Sequence, residues 1–294
     1  MENPLVSIIV ITYNSAKFVL ETLESARAQT YQNIELIISD DGSTDDTVQI
    51  CRDWLKENSD RFVHSQLLTV EQNTGIPANC NRGVIASKGE WIKLIAGDDQ
   101  LRENCIECNI FYIASHKEVE VLQTVSRFYY DTFTDNHFFS TAPNDTSFFD
   151  LSAVEQYKCL LRRNHIIAPS TLVKKSCIER VGGFDEDFKL MEDYTMWLSL
   201  TKSGIKVYFL DIETVNYRIH SQSVQRNGKG NISPSFCWEQ IKFYRKYMPH
   251  SLFAKLGILK FNVFIIYDKI GLNNNSLVSR HLYSLTWRIF NSLS

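Results

Sequence analysis

Residues 90–101, EWIKLIAGDDQL, form a short run of mostly apolar residues that ends in two adjacent carboxylates. The run from Trp91 to Ala96, in which only Lys93 is charged, predicts a buried strand. Asp98 and Asp99 follow it almost at once. Two neighbouring carboxylates at the end of a core strand repel each other and cost desolvation free energy. The stretch therefore indicates a bound divalent cation that offsets this cost.

The sequence before this run alternates between strand and helix patterns. Val6–Thr12 and Ile34–Ser39 are β-branched runs typical of strands buried on both faces, and a third strand is predicted at Phe62–Val70. Ser15–Gln29 has helical spacing, and a further helix is predicted from about Pro77. This rhythm predicts an α/β fold of the Rossmann-like kind, with a mostly parallel central sheet covered by helices.

Polar residues follow three of these strands directly. They are Tyr13–Asn14, Asp40–Asp41 and Asp98–Asp99. In parallel α/β sheets ligands bind beyond the carboxyl ends of the strands. We therefore expect the three polar clusters to meet at one edge of the sheet and to form a ligand site there.

Other local patterns give further expectations. Ser43 or Thr44 is predicted to cap the second helix, with Asp45 and Asp46 in its first turn. Beyond residue 100 the patterns predict a strand at about Val119–Tyr130, an aromatic-rich loop, a helix at Ser152–Arg163, a helix from about Glu192, and two strands near Lys206–Phe209 and Val215–Ile219. The residues after Pro234 are predicted to be helical.

Composition excludes several classes of protein. Hydrophobic residues make up 44% of the chain and charged residues 22%, as in folded globular proteins, and the net charge of −3 argues against nucleic acid as a partner. The seven Cys favour a reduced, cytoplasmic setting, and Cys105 and Cys108 are expected to be a helix-borne pair of thiols. We expect neither a signal peptide nor a membrane-spanning helix.

Seven motifs in this order and spacing make the sequence similar to a known family. They are VSIIVITYN, IISDDGSTDDT, NTGIPANCNRG, GEWIKLIAGDD, GGFDEDF, MEDYTMWL and YRIHSQS. Residues 5 to 224 resemble the family 2 glycosyltransferases, which have the GT-A fold. The resemblance implies an inverting, metal-dependent transfer of a sugar from a nucleotide donor to an acceptor hydroxyl.

The resemblance also implies roles in binding the donor. Asp41 or its neighbour Asp40 would accept the N3–H of a uracil-like base, and Tyr13 would stack on that base. The other implied contacts with the nucleotide sugar are Thr12, Asn14, Asn73, Gly75, Asn81 and Asp98. Purely structural alternatives stay open, since a strand-end aromatic packs on a helix and an Asp-Gly turn needs its own acid.

The resemblance implies a metal site as well. Asp98 and Asp99 with His220 would hold Mn²⁺ or Mg²⁺, because carboxylates suit both ions and imidazole suits Mn²⁺. The family usually carries a further Asp upstream, where this sequence has Ala96 or Gly97. Which of the two carboxylates binds the metal, and which the ribose, stays open.

The catalytic base implied by the resemblance is Asp193. Glu192, Trp197 and His165 would lie on the acceptor side. The alternative for the two acids is structural, because carboxylates in the first turn of a helix are stabilised by its dipole.

The predicted domains are residues 1–225, the catalytic domain, and residues 226–294, a helical extension. The extension mixes aromatic and basic residues, so it binds an anionic membrane, packs on the catalytic domain or forms a homodimer contact. A glycan or lipid-linked glycan acceptor at the inner face of the membrane, in polysaccharide or lipopolysaccharide assembly, follows from the family alone. The alternatives are a degenerate GT-A protein that binds a glycan or partner, and a sugar-nucleotide nucleotidyltransferase.

Overall fold

The structure, a computed structural model, describes residues 3–220, 233–272 and 281–290 except 283, 287 and 289. The chain divides into two compact units, Met1–Ile219 and His220–Ser294. The domain boundary that the sequence predicts, between residues 225 and 226, lies outside the described residues.

The described part of the first unit contains one mixed sheet. Its strands are β1 (Val6–Thr12), β2 (Ile34–Asp40), β3 (His64–Thr69), β4 (Trp91–Ala96), β5 (Gln100–Leu101), β6 (Val121–Tyr130), β7 (Phe138–Ala142), β8 (Thr171–Lys174) and β9 (Val207–Ile219). The strand order is β3-β2-β1-β4-β8-β6-β9-β5, with β7 paired to β6. Strands β3, β2, β1 and β4 run parallel to one another, and β6 runs parallel to β9. Strand β8 is antiparallel to β4 and β6 and joins the two parallel groups.

Helices connect these strands. They are α1 (Val19–Arg27), α2 (Thr47–Asn58), α3 (Ile76–Ala86), α4 (Cys105–Ser115), α5 (Ser147–Asp150), α6 (Ala153–Leu160), α7 (Lys175–Arg180) and α8 (Glu192–Lys202). Short 3-10 turns lie at Ser59–Arg61, Asp135–His137 and Ala168–Ser170. The predicted α/β class is confirmed. Cys105 and Cys108 lie on α4, as predicted, and both are free thiols.

The core lies on both faces of the parallel strands. Every residue of β2 is buried, and β1 is buried except at Ile11. Lys93, the charged residue of β4, is buried as well, and its ammonium donates to the carbonyls of Pro169 (2.7 Å) and Thr171 (3.2 Å). Burial lowers the pKa of Lys93. Lys93 therefore ties the parallel strands to the chain segment that leads into β8.

The start of α2 corrects one prediction. The helix begins at Thr47, so Ser43 and Thr44 lie in the preceding turn and do not cap it. Ser43 instead donates its hydroxyl to Asp40 at 2.5 Å, and Asp45 accepts the backbone N–H of Thr47 at 3.1 Å. The turn uses these side chains for its own hydrogen bonds, so the helix begins later than predicted. Asp45 and Asp46 precede it and do not lie in its first turn.

The end of the first unit corrects another prediction. The two strands predicted near Lys206–Phe209 and Val215–Ile219 are one continuous strand, β9. Polar residues interrupt its apolar pattern, but Asp211 is exposed and Glu213 pairs with Arg127 of β6 at 3.0 Å, so both suit the solvent side of a strand. Part of the predicted aromatic loop also forms a strand, β7, and α1 begins four residues later than its helical spacing predicts.

The second unit is helical where it is described, as predicted. Helix α9 (Pro234–Tyr247) and helix α10 (Leu252–Lys269) pack together, and a Cβ on Gly257 would lie 2.3 Å from the ring of Tyr244. The two helices therefore approach closely at this point. No helix in the described ranges is both long and apolar enough to cross a membrane.

Candidate active site

The strand register brings the predicted polar clusters to one edge of the sheet. Strand β1 lies between β2 and β4, and the register pairs Thr12 with Asp40 and Ile11 with Ala96. The backbone N–H of Asp41 donates to the carbonyl of Thr12 at 3.0 Å. The residues that follow β1, β2 and β4 are therefore neighbours at the carboxyl ends of these strands, where parallel sheets bind ligands.

Asp40 holds the turn after β2. Its carboxylate is fully buried and accepts the hydroxyl of Thr12 (2.8 Å) and the backbone N–H of Ser43 (2.8 Å). Asn14 joins the same turn, because its N–H donates to the hydroxyl of Ser43 (2.8 Å) and its side chain accepts the N–H of Thr44 (2.8 Å). Asp40 and Asn14 thus fix the ends of β1 and β2 against each other.

Asp41 points to a different loop. Its buried carboxylate accepts the backbone N–H groups of Thr74 (3.0 Å) and Gly75 (2.8 Å) and pairs with Arg82 of α3 at 3.2 Å. Gly75 has a φ of +97°, which favours glycine, and so the loop turns toward this acid. The two adjacent acids have separate roles in the fold, and their predicted contact with a nucleotide base stays a prediction.

The other residues predicted to contact the nucleotide sugar fall into two groups, accessible ones and ones engaged in the fold. Tyr13 (49% exposed) and Asn73 are accessible near this edge. Asn81 is engaged in the fold, because its amide donates to Phe184 (3.0 Å) and Glu186 (2.9 Å) and its oxygen accepts the N–H of Phe184 (2.7 Å). Asn81 therefore anchors the turn that leads into α8, and its predicted contact with the nucleotide sugar stays a prediction.

Asp98 and Asp99 differ in their surroundings. Asp98 is partly exposed, whereas Asp99 is 2% exposed and accepts the backbone N–H of Arg218 at 2.8 Å. Burial, reinforced by the neighbouring charge of Asp98, raises the pKa of Asp99 well above its usual range, although Arg218 and Lys93 oppose this. A cation shared by the two carboxylates would favour their ionised forms.

Arg218 organises the surroundings of these acids. It is 2% exposed, and its guanidinium donates to the carbonyls of Asp98 (2.7 Å) and Asp131 (2.5 Å) and to the carboxylate of Glu21 (2.8 Å). The side chain therefore joins the end of β9 to α1 and to the turn after β4. Sequence reasoning did not select it, although it lies two residues before His220 in the quoted motif YRIHSQS.

Asp193 is the second residue of α8. Burial raises the pKa of Asp193, while hydrogen bonds from the N–H of Tyr194 (2.7 Å) and from the side chain of Asn164 favour the charged form. Trp197 lies close enough to favour the charged form of Asp193 as well. Its buried indole N–H, however, has no acceptor with normal hydrogen-bond geometry among the described residues. A raised pKa suits a carboxylate that takes a proton near neutral pH.

A small cavity of about 40 Å³ lies beside Asp193. Its walls are mostly apolar, and Glu192 and Trp197 line it together with Asp193. The volume has room for about one water molecule. The apolar walls explain why burial dominates the pKa of Asp193.

One phenol connects the two acidic pairs. The pKa of Tyr217, on β9, is raised first by burial and then by the charges of Asp99, Asp98, Asp193 and Glu192. All four carboxylates therefore lie within electrostatic reach of a single side chain. That the cluster at the strand edge and the acids that open α8 form one site stays a prediction, which this proximity supports.

A buried thiol also lies near the acids that open α8. Burial raises the pKa of Cys80 on α3, and the charges of Glu192, Asp193 and, more weakly, Asp41 raise it further. Cys80 lines the same small cavity as Asp193, so α3 lies next to the predicted base.

The two histidines predicted to lie in the site, His165 and His220, belong to different units of the chain. His165 stacks on Phe148 with ring centroids 4.8 Å apart, and it follows Asn164, the partner of Asp193, directly. Burial, helped by Arg163, lowers the pKa of His165. His220 is the first residue of the second unit, and its role as a metal ligand stays a prediction.

The residues present fit a cation that shares its ligands with a phosphate group. No three His, Cys, Asp or Glu side chains among the described residues are grouped so as to form a metal site. Asp98 and Asp99 instead offer adjacent carboxylate oxygens at a strand end. Mg²⁺ is commonly held by one or two carboxylates with substrate phosphates and water, and Mn²⁺ also prefers oxygen ligands.

Comparison with known proteins identifies the family. Residues 7–169 match the family described as Glycosyl transferase family 2. The chain belongs to this family. An uncharacterised glycosyltransferase of Rickettsia typhi is 32% identical over 74% of this chain, and the match spans 65% of the relative's length. The UDP-Glc:alpha-D-GlcNAc-diphosphoundecaprenol beta-1,3-glucosyltransferase WfaP of Escherichia coli is 30% identical over 76% of this chain and 80% of its own length.

A solved structure supports the fold. The mannosyltransferase PcManGT of Pyrobaculum calidifontis, solved with GDP-Man and Mn²⁺, matches with a TM-score of 0.62 and 16% identity. The match covers 98% of this chain and 81% of that protein. The predicted GT-A fold is therefore confirmed for this member of family 2.

Proposed function

We propose that this chain transfers a sugar from a nucleoside diphosphate donor, a UDP-sugar, to an acceptor hydroxyl with inversion at the anomeric carbon. The observation that carries the proposal is the position of two pairs of acids. Arg218 of β9 holds Asp98 and Asp99 at the strand edge, Glu192 and Asp193 line a cavity, and the charges of all four reach Tyr217, the neighbour of Arg218. One pair of acids suits a cation-bound diphosphate and the other suits a hydroxyl that loses its proton. A single displacement needs both functions on opposite sides of one carbon.

The donor is assigned to the edge of β1, β2 and β4. The accessible ring of Tyr13 would stack on the base, and Asp41 or Asp40 would accept its N3–H. Thr12, Asn14, Asn73, Gly75 and Asn81 complete the proposed surroundings of the nucleotide sugar. The name of the Escherichia coli relative supports UDP, whereas the archaeal structure holds GDP-Man, so the base is the first property to test.

Asp98 and Asp99 are proposed to hold Mn²⁺ or Mg²⁺, with His220 as a further ligand. Such an ion stabilises negative charge on a departing diphosphate. Asp98, the more exposed of the two acids, is also the candidate for contact with the ribose. Arg218 orients both acids, because it donates to the carboxylate of one and to the backbone of the other.

Asp193 is proposed as the general base. Its carboxylate would accept the proton of the acceptor hydroxyl as the oxygen bonds to the anomeric carbon. Asn164 holds one side of this carboxylate, and the apolar cavity beside it keeps its pKa raised. Glu192, Trp197 and His165 are assigned to the acceptor side.

The acceptor is proposed to be a glycan or lipid-linked glycan in surface polysaccharide or lipopolysaccharide assembly. The Escherichia coli relative is named for an acceptor linked to diphosphoundecaprenol, which supports this class. Transfer would then take place at the cytoplasmic face of the membrane. We also propose that the chain can form a homodimer.

Two other functions receive less support. A nucleotidyltransferase of similar fold usually has a glycine-rich basic loop after its first strand, and this chain has TYNSAKF there. A degenerate glycan-binding protein has no need for a buried acid beside Asn164 with a raised pKa. The missing upstream acid at Ala96 or Gly97 is the feature that favours the degenerate alternative.

The test is a panel of UDP-, dTDP- and GDP-sugars with Mn²⁺ and a short polyprenyl-diphosphate-linked sugar as acceptor. We expect acceptor-dependent release of one nucleoside diphosphate and its loss in EDTA. Equal turnover of every donor in EDTA would contradict the metal assignment, and no turnover of any donor would favour the degenerate alternative. NMR of the product's anomeric proton tests inversion.

A further inference from the structure

The outward face of helix α10 is apolar and largely exposed. Leu252, Leu259 and Ile266 recur every seven residues and are 71%, 54% and 53% exposed. Ile270, directly after the helix, is 62% exposed. Seven residues are close to two helical turns, so these side chains form one stripe. An ordinary surface helix has polar residues in this position.

The opposite face of α10 is the one that packs on α9. Its buried residues are Ala254, Gly257, Lys260, Phe261, Phe264 and Ile265. Asp268, the acid of α10, lies on this side, because its charge raises the pKa of Cys237 on α9 in addition to the larger effect of burial. The exposed stripe is therefore free of acids, and Lys255 and Lys269 flank it.

The basic charge of the second unit indicates which kind of surface the stripe would bind. Residues 220–294 contain ten Lys and Arg against two Asp and Glu, whereas residues 1–219 contain 21 against 32. A second copy placed on the stripe would bring two basic units together, which is unfavourable. An anionic lipid surface complements both the apolar stripe and its basic surroundings. Trp238 of α9 is 52% exposed, and Lys242 and Arg245 follow on the same face, a composition typical of helices at membrane interfaces.

We propose that α10 lies in the headgroup region of an anionic membrane, with Leu252, Leu259, Ile266 and Ile270 inserted and Lys255 and Lys269 at the phosphates. The helix lies on the membrane and does not cross it, in agreement with the absence of a spanning helix from the described ranges. The purpose of this membrane contact rests on the proposed function: the exposed stripe of α10 would bring the enzyme to a lipid-linked acceptor.

The test is co-sedimentation of the full chain with vesicles. Because this assay needs no sugar transfer, its result can contradict the membrane contact without contradicting the proposed function. We expect binding to phosphatidylcholine vesicles with 30% phosphatidylglycerol and at least tenfold weaker binding to phosphatidylcholine alone. Leu259→Ser with Ile266→Ser should weaken binding at least about tenfold, because two apolar side chains no longer insert. Lys255→Gln with Lys269→Gln should weaken it roughly fivefold per lysine on the anionic vesicles.

The matched control is Ile85→Ser on α3, which removes an apolar side chain that is 80% exposed in the first unit. It should bind vesicles like wild type, and circular dichroism should show that all variants are folded. Binding to neither vesicle at low salt would overturn the proposal. The proposal would also be overturned if the Leu259→Ser, Ile266→Ser variant bound vesicles as tightly as wild type. A dimer of the wild type in light scattering that the same two substitutions dissociate, with vesicle binding unchanged, would overturn it as well.

Discussion

The backbone N–H of Arg218 donates to the carboxylate of Asp99 at 2.8 Å, across 119 residues of sequence. The same arginine extends its guanidinium to the carbonyl of Asp98. The last strand of the first unit therefore fixes the position of the acidic pair, and the geometry of a metal site at Asp98 and Asp99 depends on β9.

Arg218→Gln should lower the free energy of unfolding by about 3 kcal/mol, because it removes a buried charge and leaves buried carbonyls without donors. Urea unfolding measures this loss. The control is Arg180→Gln, which breaks a half-exposed pair with Glu120 (3.4 Å) and should cost less than ~1 kcal/mol. Equal losses for the two variants would contradict the organising role of Arg218.

Asp98→Asn with Asp99→Asn should weaken UDP binding at least about tenfold in Mn²⁺, because neutral amides are poor ligands for a hard cation. Calorimetric titration with UDP measures this in Mn²⁺ and again in EDTA. We expect wild type and the variant to bind UDP alike in EDTA. A variant that keeps the full effect of Mn²⁺ would place the ion elsewhere.

Much of the sheet could be predicted from the sequence, because its strands are continuous apolar runs. The predicted bounds of Val6–Thr12 and Trp91–Ala96 agree with the structure, and so does the convergence of polar residues at one edge. A strand buried on both faces is mostly apolar, so its composition identifies it even where a buried charged residue such as Lys93 interrupts the run.

The features that sequence reasoning missed depend on contacts between distant residues. Ser43 bonds to Asp40 in the turn before α2 and so does not cap the helix, and the acids in β9 suit a strand because one side of it faces solvent. Asn164 and Arg218 are ordinary polar residues in the sequence. Their importance arises from Asp193 and Asp99, which only the fold brings to them.

Asn164→Ala should move the acid limb of the pH–rate profile to higher pH. Asn164 donates to Asp193 and so favours the charged form of this base, and its removal raises the pKa of Asp193 further. A base must be ionised to accept a proton, so activity would be lost earlier as the pH falls. The control is Asn58→Ala at the end of α2, which should leave the profile unchanged. An unshifted acid limb for Asn164→Ala would argue that another group limits the rate at low pH.

Gly42→Ala should destabilise the protein more than Gly204→Ala. Both glycines have positive φ values, +77° and +88°, so both variants strain the backbone by roughly 1 kcal/mol. A Cβ on Gly42 would also lie 2.9 Å from the backbone carbon of Gln72, whereas one on Gly204 meets nothing within 4 Å. We expect an additional cost of about 1–3 kcal/mol for Gly42→Ala. Thermal unfolding of the two variants measures the difference, and equal melting temperatures would contradict close contact between these loops.

The central claim is that Asp193 removes the proton of the acceptor hydroxyl while separate acids hold the donor. The most direct test measures donor binding and sugar transfer on the same preparation of Asp193→Asn, with Asp53→Asn on the exposed face of α2 as the control. We predict that Asp193→Asn binds the donor like wild type and transfers sugar about 10²–10⁴-fold more slowly, whereas Asp53→Asn is unchanged in both. Unimpaired transfer by Asp193→Asn would contradict the account.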